Sequence, residues 1–175
     1  MIFQKSLIEN ENQRLASQYI IAFRTLGFEK AVETMGYDEF FEKTFARHTD
    51  VTKIPECEKR QYVADWSQPG AFNAMLNWYR ASKLVVPPPG VTVPLPDWLL
   101  GAFPSVKIPT LVIWGMKDAA LLPSQLDGLD RLVDELTIVR LPGVGHFAPW
   151  EAGDEVAAAL EPFLAAQAAA SAPAQ

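Results

Sequence analysis

The sequence predicts an α/β chain, with a helical first half followed by a short β-α-β-α unit. Three observations carry this. Apolar residues recur at helical spacing as far as Tyr79. The run KLVVPPPGVTVPLPD, from Lys83 to Asp97, is too proline-rich for a helix or a central strand. Two short β-branched runs, Thr110–Trp114 and Leu136–Leu141, come after it.

In the first half, Leu15, Tyr19, Phe23 and Leu26 form one expected stripe. Phe28, Val32 and Met35 continue as a second short helix, which Gly36 stops. Asp38 is placed to cap a third segment carrying Phe40, Phe41, Thr44 and Phe45. Pro55 suits the first turn of a helix running to about Trp66. Ser67–Gly70 breaks the chain before a helix with Phe72, Leu76 and Tyr79 on one stripe. Beyond the proline-rich linker, TLVIW reads as a buried parallel strand and Pro123–Leu136 as a helix with Leu126, Leu129 and Val133 inward. LTIVRL is the second strand. Val156, Leu160, Phe163 and Leu164 mark a last helix, with Pro162 placed to kink it. The expected units are residues 1–90, 91–167 and a flexible Ala-rich tail, 168–175. A parallel sheet of two strands cannot cover its faces and edges, so TLVIW looks like an interior strand short of neighbours.

Composition narrows the function. With 175 residues, 49% apolar and 21% charged, the chain can bury one ordinary core. A net charge of −6 argues against nucleic acid or an anionic membrane as partner. The single cysteine, Cys57, permits no internal disulfide and points to a reducing, cytoplasmic setting. MIFQKSLIENENQ is too polar for a signal peptide, and no apolar run is long enough to span a bilayer. No cofactor and no metal ion is expected.

The chemistry concentrates in two turns. Asp118 follows the first strand in WGMKD, and His146 follows the second in LPGVGHFAPWE. If both strands are parallel, both residues sit at strand carboxyl ends, on the rim where open α/β sheets place their sites. Acid then base, each past its own strand, is the second and third member of a nucleophile–acid–base order. Asp118 would accept the Nδ1–H of His146, leaving Nε2 to take a proton from water. The plainer readings are an Asx-turn aspartate and a surface histidine in a glycine turn. His48, in Arg47-His48-Thr49-Asp50, reads as solvated.

From about Ile108 onward, PTLVIWGMKDAALLP…LPGVGHFAPWE resembles the C-terminal third of α/β-hydrolase-fold enzymes. The helical half resembles their cap, the insertion that roofs the active site. SQYIIAF and LNWYR look like the two cap segments of the epoxide hydrolase branch. The resemblance implies the C-terminal part of an α/β-hydrolase fold, a helical cap followed by a β-α-β-α remnant of the core sheet. It also implies that Tyr19 and Tyr79 face the epoxide oxygen, where neutral phenols can donate a proton or hydrogen bond to the opening alkoxide. Tyr19 also fits a core aromatic on the stripe of Leu15 and Phe23. Trp66, Phe72, Met75 and Trp78 read as cap packing or pocket lining, and Trp150 fits either role.

The family's nucleophile elbow is absent: no G-x-S-x-G or G-x-D-x-G pattern occurs, nor an HG-x-P loop. The expectation is therefore an epoxide-hydrolase-like enzyme present as a fragment, inactive alone, whose intact form takes a small apolar epoxide or ester-like substrate. An N-terminal half acting in trans is a further option. The rivals are an esterase or dehalogenase of the same fold and a non-catalytic helical binding module.

Overall fold

A computed structural model of the chain describes residues 2–170. Helix α1 (Ile2–Glu9) is separated from α2 (Glu11–Ala16) by Asn10, whose side chain accepts the amide of Gln13 as an N-cap. The stripe expected from Leu15 to Leu26 is broken at Ser17–Gln18, where α3 (Tyr19–Arg24) begins. The break sends Leu15 and Leu26 outward, Leu26 being 85% exposed, and brings Gln13 and Ile20 inside. Helices α4 (Phe28–Met35) and α5 (Tyr37–Phe45) meet at Gly36, as expected. Gly36 itself caps α5, so Asp38 lies in the first turn instead of capping it. Its charge still suits that end of the helix. Helix α6 (Glu56–Trp66) starts after Pro55, and α7 (Ala71–Ala81) restarts the chain after the expected break.

These helices enclose an aromatic core of Phe40, Phe41, Phe45, Trp66 and Phe72 with Val32, Ile54 and Leu76. Phe41 stacks on Phe45 at 4.3 Å between ring centroids, and Phe40 meets Phe72 edge-on at 5.1 Å. Trp66 and Phe72 are thus core residues, whereas Trp78 is 79% exposed and Met75 also lies at the surface.

The proline-rich run has no ladder partner among the described residues, and side chains hold it instead. Gln4 both donates to the carbonyl of Val85 (2.9 Å) and accepts its amide (2.8 Å). Arg14 donates to Val91 O and Gln18 to Pro87 O. After the short α8 (Asp97–Leu100), strands β1 (Thr110–Gly115) and β2 (Leu136–Leu141) pair in parallel, from Thr110 opposite Leu136 to Gly115 opposite Leu141.

Their connection is not the helix the pattern suggested. It forms two 3₁₀ turns, Pro123–Leu126 and Leu129–Arg131, split at Asp127–Gly128. Its end is then pulled into extension by paired hydrogen bonds between Val106 and residues Leu132 and Asp134. Leu126 and Val133 are buried as expected.

Helices α9 (Ala148–Glu151) and α10 (Gly153–Ala170) close the chain. Ala148, Ala152 and Val156 pack on Ile113, Val139 and Leu141 across one sheet face. Leu160 and Leu164 lie exposed, so the apolar stripe of α10 is only partly used. Pro162 lies inside the helix without ending it. The helix runs to Ala170, into the tail expected from residue 168, and 171–175 fall outside the described residues. No helix among the described residues is long and apolar enough to cross a membrane.

The other sheet face is poorly covered. Val112 and Trp114 line a groove of about 570 Å³ with Leu129, Leu132 and Phe3, and no residue from Thr110 to Trp114 is fully buried. The indole N–H of Trp114 has no hydrogen-bond partner among the described residues. A groove of this kind should take up an apolar dye. Anilinonaphthalene sulfonate is expected to brighten on the native chain without denaturant, and emission no stronger than that of free dye would contradict the exposure of this face.

Candidate active site

The two chemistry-bearing turns are tied together by the backbone that follows each strand. Past the last ladder pair, Met116 N–H donates to Leu141 O (3.0 Å) and Lys117 N–H to Val144 O (2.8 Å). The approach is close enough to need glycine. A Cβ on Gly115 would lie 2.6 Å from Val144 O and against Gly145 O. A Cβ on Gly145 would lie 2.5 Å from His48 O and 2.8 Å from Glu151 Oε1. Glycine is present because neighbouring backbone occupies the space of a side chain.

Within this clasp Asp118 is buried, with 7% of its surface exposed. Its Oδ1 accepts the amides of Ala120 and Leu121, both at 2.8 Å. Its Oδ2 lies 2.8 Å from His146 Nδ1. The Asx-turn reading and the dyad reading therefore both describe this residue, one on each oxygen. With a carboxylate as acceptor, Nδ1 carries the proton, and Nε2 is the nitrogen free to accept one.

The His146 turn is held from the helical half as well. Its backbone N–H donates to His48 O (2.9 Å), and the N–H of Gly145 donates to Glu151 Oε2 (3.0 Å). Phe147 stacks on Phe45 at 4.7 Å, and Trp150 lies 5.6 Å from the same ring. Trp150 thus packs against the aromatic core.

Tyr19 and Tyr79 meet edge-on at 6.0 Å between ring centroids. They line a cavity of about 620 Å³ together with His146, His48, Phe23 and Phe40. Burial pushes the Tyr19 phenol up to about 12, helped by Tyr79 and by the charge of Asp118. Burial also raises Tyr79. Both rings stay neutral donors at ordinary pH. The core reading of Tyr19 is also met in part, since its ring touches Phe23 at 5.5 Å.

His48 corrects the expectation of a solvated residue. Its ring is half-buried in the cavity wall, 5.8 Å from His146 and 6.5 Å from Tyr19, and its Nδ1 is buried without a partner among the described residues. Burial, then the neighbouring His146 and Arg47, lower its pKa, partly offset by Asp118. The polar run Arg47–Asp50 gave no sign of this, because the contact is made across the fold.

Sequence reasoning also missed Arg24 and Gln13. Arg24 donates to the carbonyls of Tyr79, Ser82 and Leu84 (2.8–2.9 Å), capping the end of α7 and tying it to the helix that carries Tyr19. Gln13 is wholly buried against the acid turn.

Two outcomes follow. Gly145→Ala should lower stability by about 1–3 kcal/mol in urea denaturation, the scale of forcing atoms into a packed site; a neutral result would mean the turn can relax away from His48. His48 has a depressed pKa in the fold, so folding favours its neutral form. That contribution is present above the unfolded value near 6.5 and is lost as pH falls through the lower folded value. His48→Gln should therefore flatten the fall in stability with acid in that window, and melting curves between pH 7 and pH 5 that superimpose on the parent's would show that His48 is not the group responsible.

No family model matches the chain. It is 42% identical to a solved structure from work on novel epoxide hydrolases of the α/β-hydrolase superfamily in metagenomes from hot environments, with a TM-score of 0.77 over 93% of this chain and 54% of that one. It is 23% identical over 170 residues to epoxide hydrolase 3 of Mus musculus, spanning 93% of this chain and 42% of the mouse protein. A shorter match, 42% identical over 53 residues, links it to haloalkane dehalogenase 2 of Mycobacterium tuberculosis, over 30% of this chain and 18% of that protein. The chain thus spans about half the length of the epoxide hydrolases it matches. It carries part of an α/β-hydrolase fold and resembles the epoxide-hydrolase-like members of that superfamily.

Proposed function

We propose that the chain supplies the acid, the base and the ring-oxygen donors of an epoxide-hydrolysing site, with residues 1–90 as its cap and 91–167 as the end of its core. The observation that carries this is the shared cavity: a neutral tyrosine pair and His146, which is held from behind by Asp118, face one space of about 620 Å³. A small apolar epoxide would lie with its oxygen toward Tyr19 and Tyr79. A carboxylate nucleophile opens the ring, forming an ester at carbon and an alkoxide that a phenol protonates. His146 Nε2 then takes a proton from water, and the resulting hydroxide attacks the ester carbonyl. The acyl C–O bond breaks, releasing the diol and returning the carboxylate, and the imidazolium's proton restores the phenol. Asp118 stabilises that imidazolium.

The 175 residues hold no nucleophile elbow, so the reading assigns this chain the second half-reaction and leaving-group assistance. Its partner would be an N-terminal half bearing that elbow. Cys57 is free and exposed, which suits a reducing, cytoplasmic setting. The dehalogenase match covers less than a third of the chain, and an esterase or dehalogenase would not require paired phenols; the tyrosines favour the epoxide.

Styrene oxide tests this. The purified chain should give no diol above the rate in buffer. Co-expressed with the N-terminal half of a related epoxide hydrolase, it should form diol at a rate abolished by His146→Ala and reduced roughly 10²–10³-fold by Tyr79→Phe, the scale of losing one oxyanion donor. Turnover in the reconstituted pair that ignored both substitutions would reject the assignment.

A further inference from the structure

The acid turn is gripped by a side chain distant in sequence. Gln13, in α2, has no exposed surface, and its amide meets the backbone on both sides of Leu121. Its Nε2 donates to Ala120 O at 2.8 Å and to Ser17 Oγ at 2.9 Å. Its Oε1 accepts the N–H of Leu122 at 2.8 Å and Nε2 of Gln125 at 3.0 Å. Both protons and both lone pairs are used, so this amide has no capacity left. Gln125 is anchored in turn on Ser6 Oγ at 2.7 Å, which brings in α1. Gln13 thus pairs with the turn as a neighbouring backbone strand would. The segment it holds supplies the two amides, Ala120 and Leu121, that occupy Asp118 Oδ1 and leave Oδ2 to His146.

We propose that Gln13 is a positioning residue for the Asp118–His146 pair, coupling the first helices to the geometry of the acid. The proposal rests on reading that pair as acid and base. A buried amide with four partners cannot be replaced neutrally. Methionine fills similar volume but strands the Ala120 carbonyl and the Leu122 amide. Glutamate can still accept from Leu122, but it has no proton for Ala120 O and adds a buried negative charge near Asp118. Gln4 provides the matched control. It is equally buried and grips the backbone of Val85 in the same two-handed way, but it does not touch the acid turn.

The readout is the Nδ1 proton of His146, observed by NMR on the full chain as a low-field resonance and assigned by its loss in His146→Gln. The resonance is expected in the unmutated chain and in Gln4→Met. It is expected to broaden away in Gln13→Met and to shift in Gln13→Glu, with helical circular dichroism retained. An unshifted signal in folded Gln13→Met overturns the proposal while leaving the dyad in place. No such resonance in the unmutated chain at low temperature overturns both. A measurement needing no variant guards against a folding defect: in amide hydrogen exchange on the unmutated chain, Leu122 should be protected along with Ala120 and Leu121, and exchange of Leu122 at the rate of a free amide also overturns the proposal. If reconstituted activity on epoxides fails while the Gln13 dependence persists, the functional reading falls and the positioning role stands.

Discussion

A carboxylate as deeply buried as that of Asp118 must be surrounded by donors or give up its charge. Much of the site's arrangement follows from meeting that demand. Two donors come from the next residues of its own turn, and the third comes from His146 on the adjoining turn. A hydrogen bond of 2.8 Å between side chains on separate turns requires those turns to run almost in contact. The parallel register, the crossing hydrogen bonds of Met116 and Lys117, and the bare Cα atoms of Gly115 and Gly145 provide that approach. Gly115 and Gly145 therefore serve close packing, a role distinct from turn flexibility.

The helical half completes the arrangement. His48 contributes its carbonyl to the backbone of His146, and Phe45 contributes a ring for Phe147 to stack on. The histidine is thus fixed by the sheet on one side and by the aromatic core on the other. The same burial that holds these groups sets their charge. Tyr19 and Tyr79 are kept protonated and His48 is driven toward its neutral form.

The parts legible in the sequence were those set by local chemistry. The strands, the break at Gly36, the helix to Trp66 and the placing of Asp118 and His146 just past their strands depend on nearby residues: β-branched runs, prolines and turn glycines. The less legible parts were set by tertiary contact. Periodicity places Leu15 inward, but Ser17 and Gln18 break the helix and turn that face round, so Gln13 takes the interior place through polar partners over a hundred positions away. His48 looked solvated because its neighbours are polar, and only the folded chain sets its ring beside His146. The connection after Pro123 has inward apolar residues at helical spacing, yet Asp127–Gly128 and the pairing with Val106 override that pattern.

The two sheet faces carry a further consequence. The groups that fix Asp118 and His146 come from the acid turn, the base turn, α2, the His48 loop and the core around Phe45. Leu121 and Gln125 among them also border the groove where Val112 and Trp114 lie open, yet their hydrogen bonds to Asp118 and Gln13 are made with that groove uncovered. Hydrogen-bonded geometry depends on the partners that make it, so the dyad can be set without that face being covered. Covering the groove should therefore change stability and solubility through buried apolar area, while leaving the relation of acid to base largely as it is. For the proposed reaction, the nucleophile and the oxyanion loop would have to be added to a cavity where His146, held by Asp118, and the two phenols already meet.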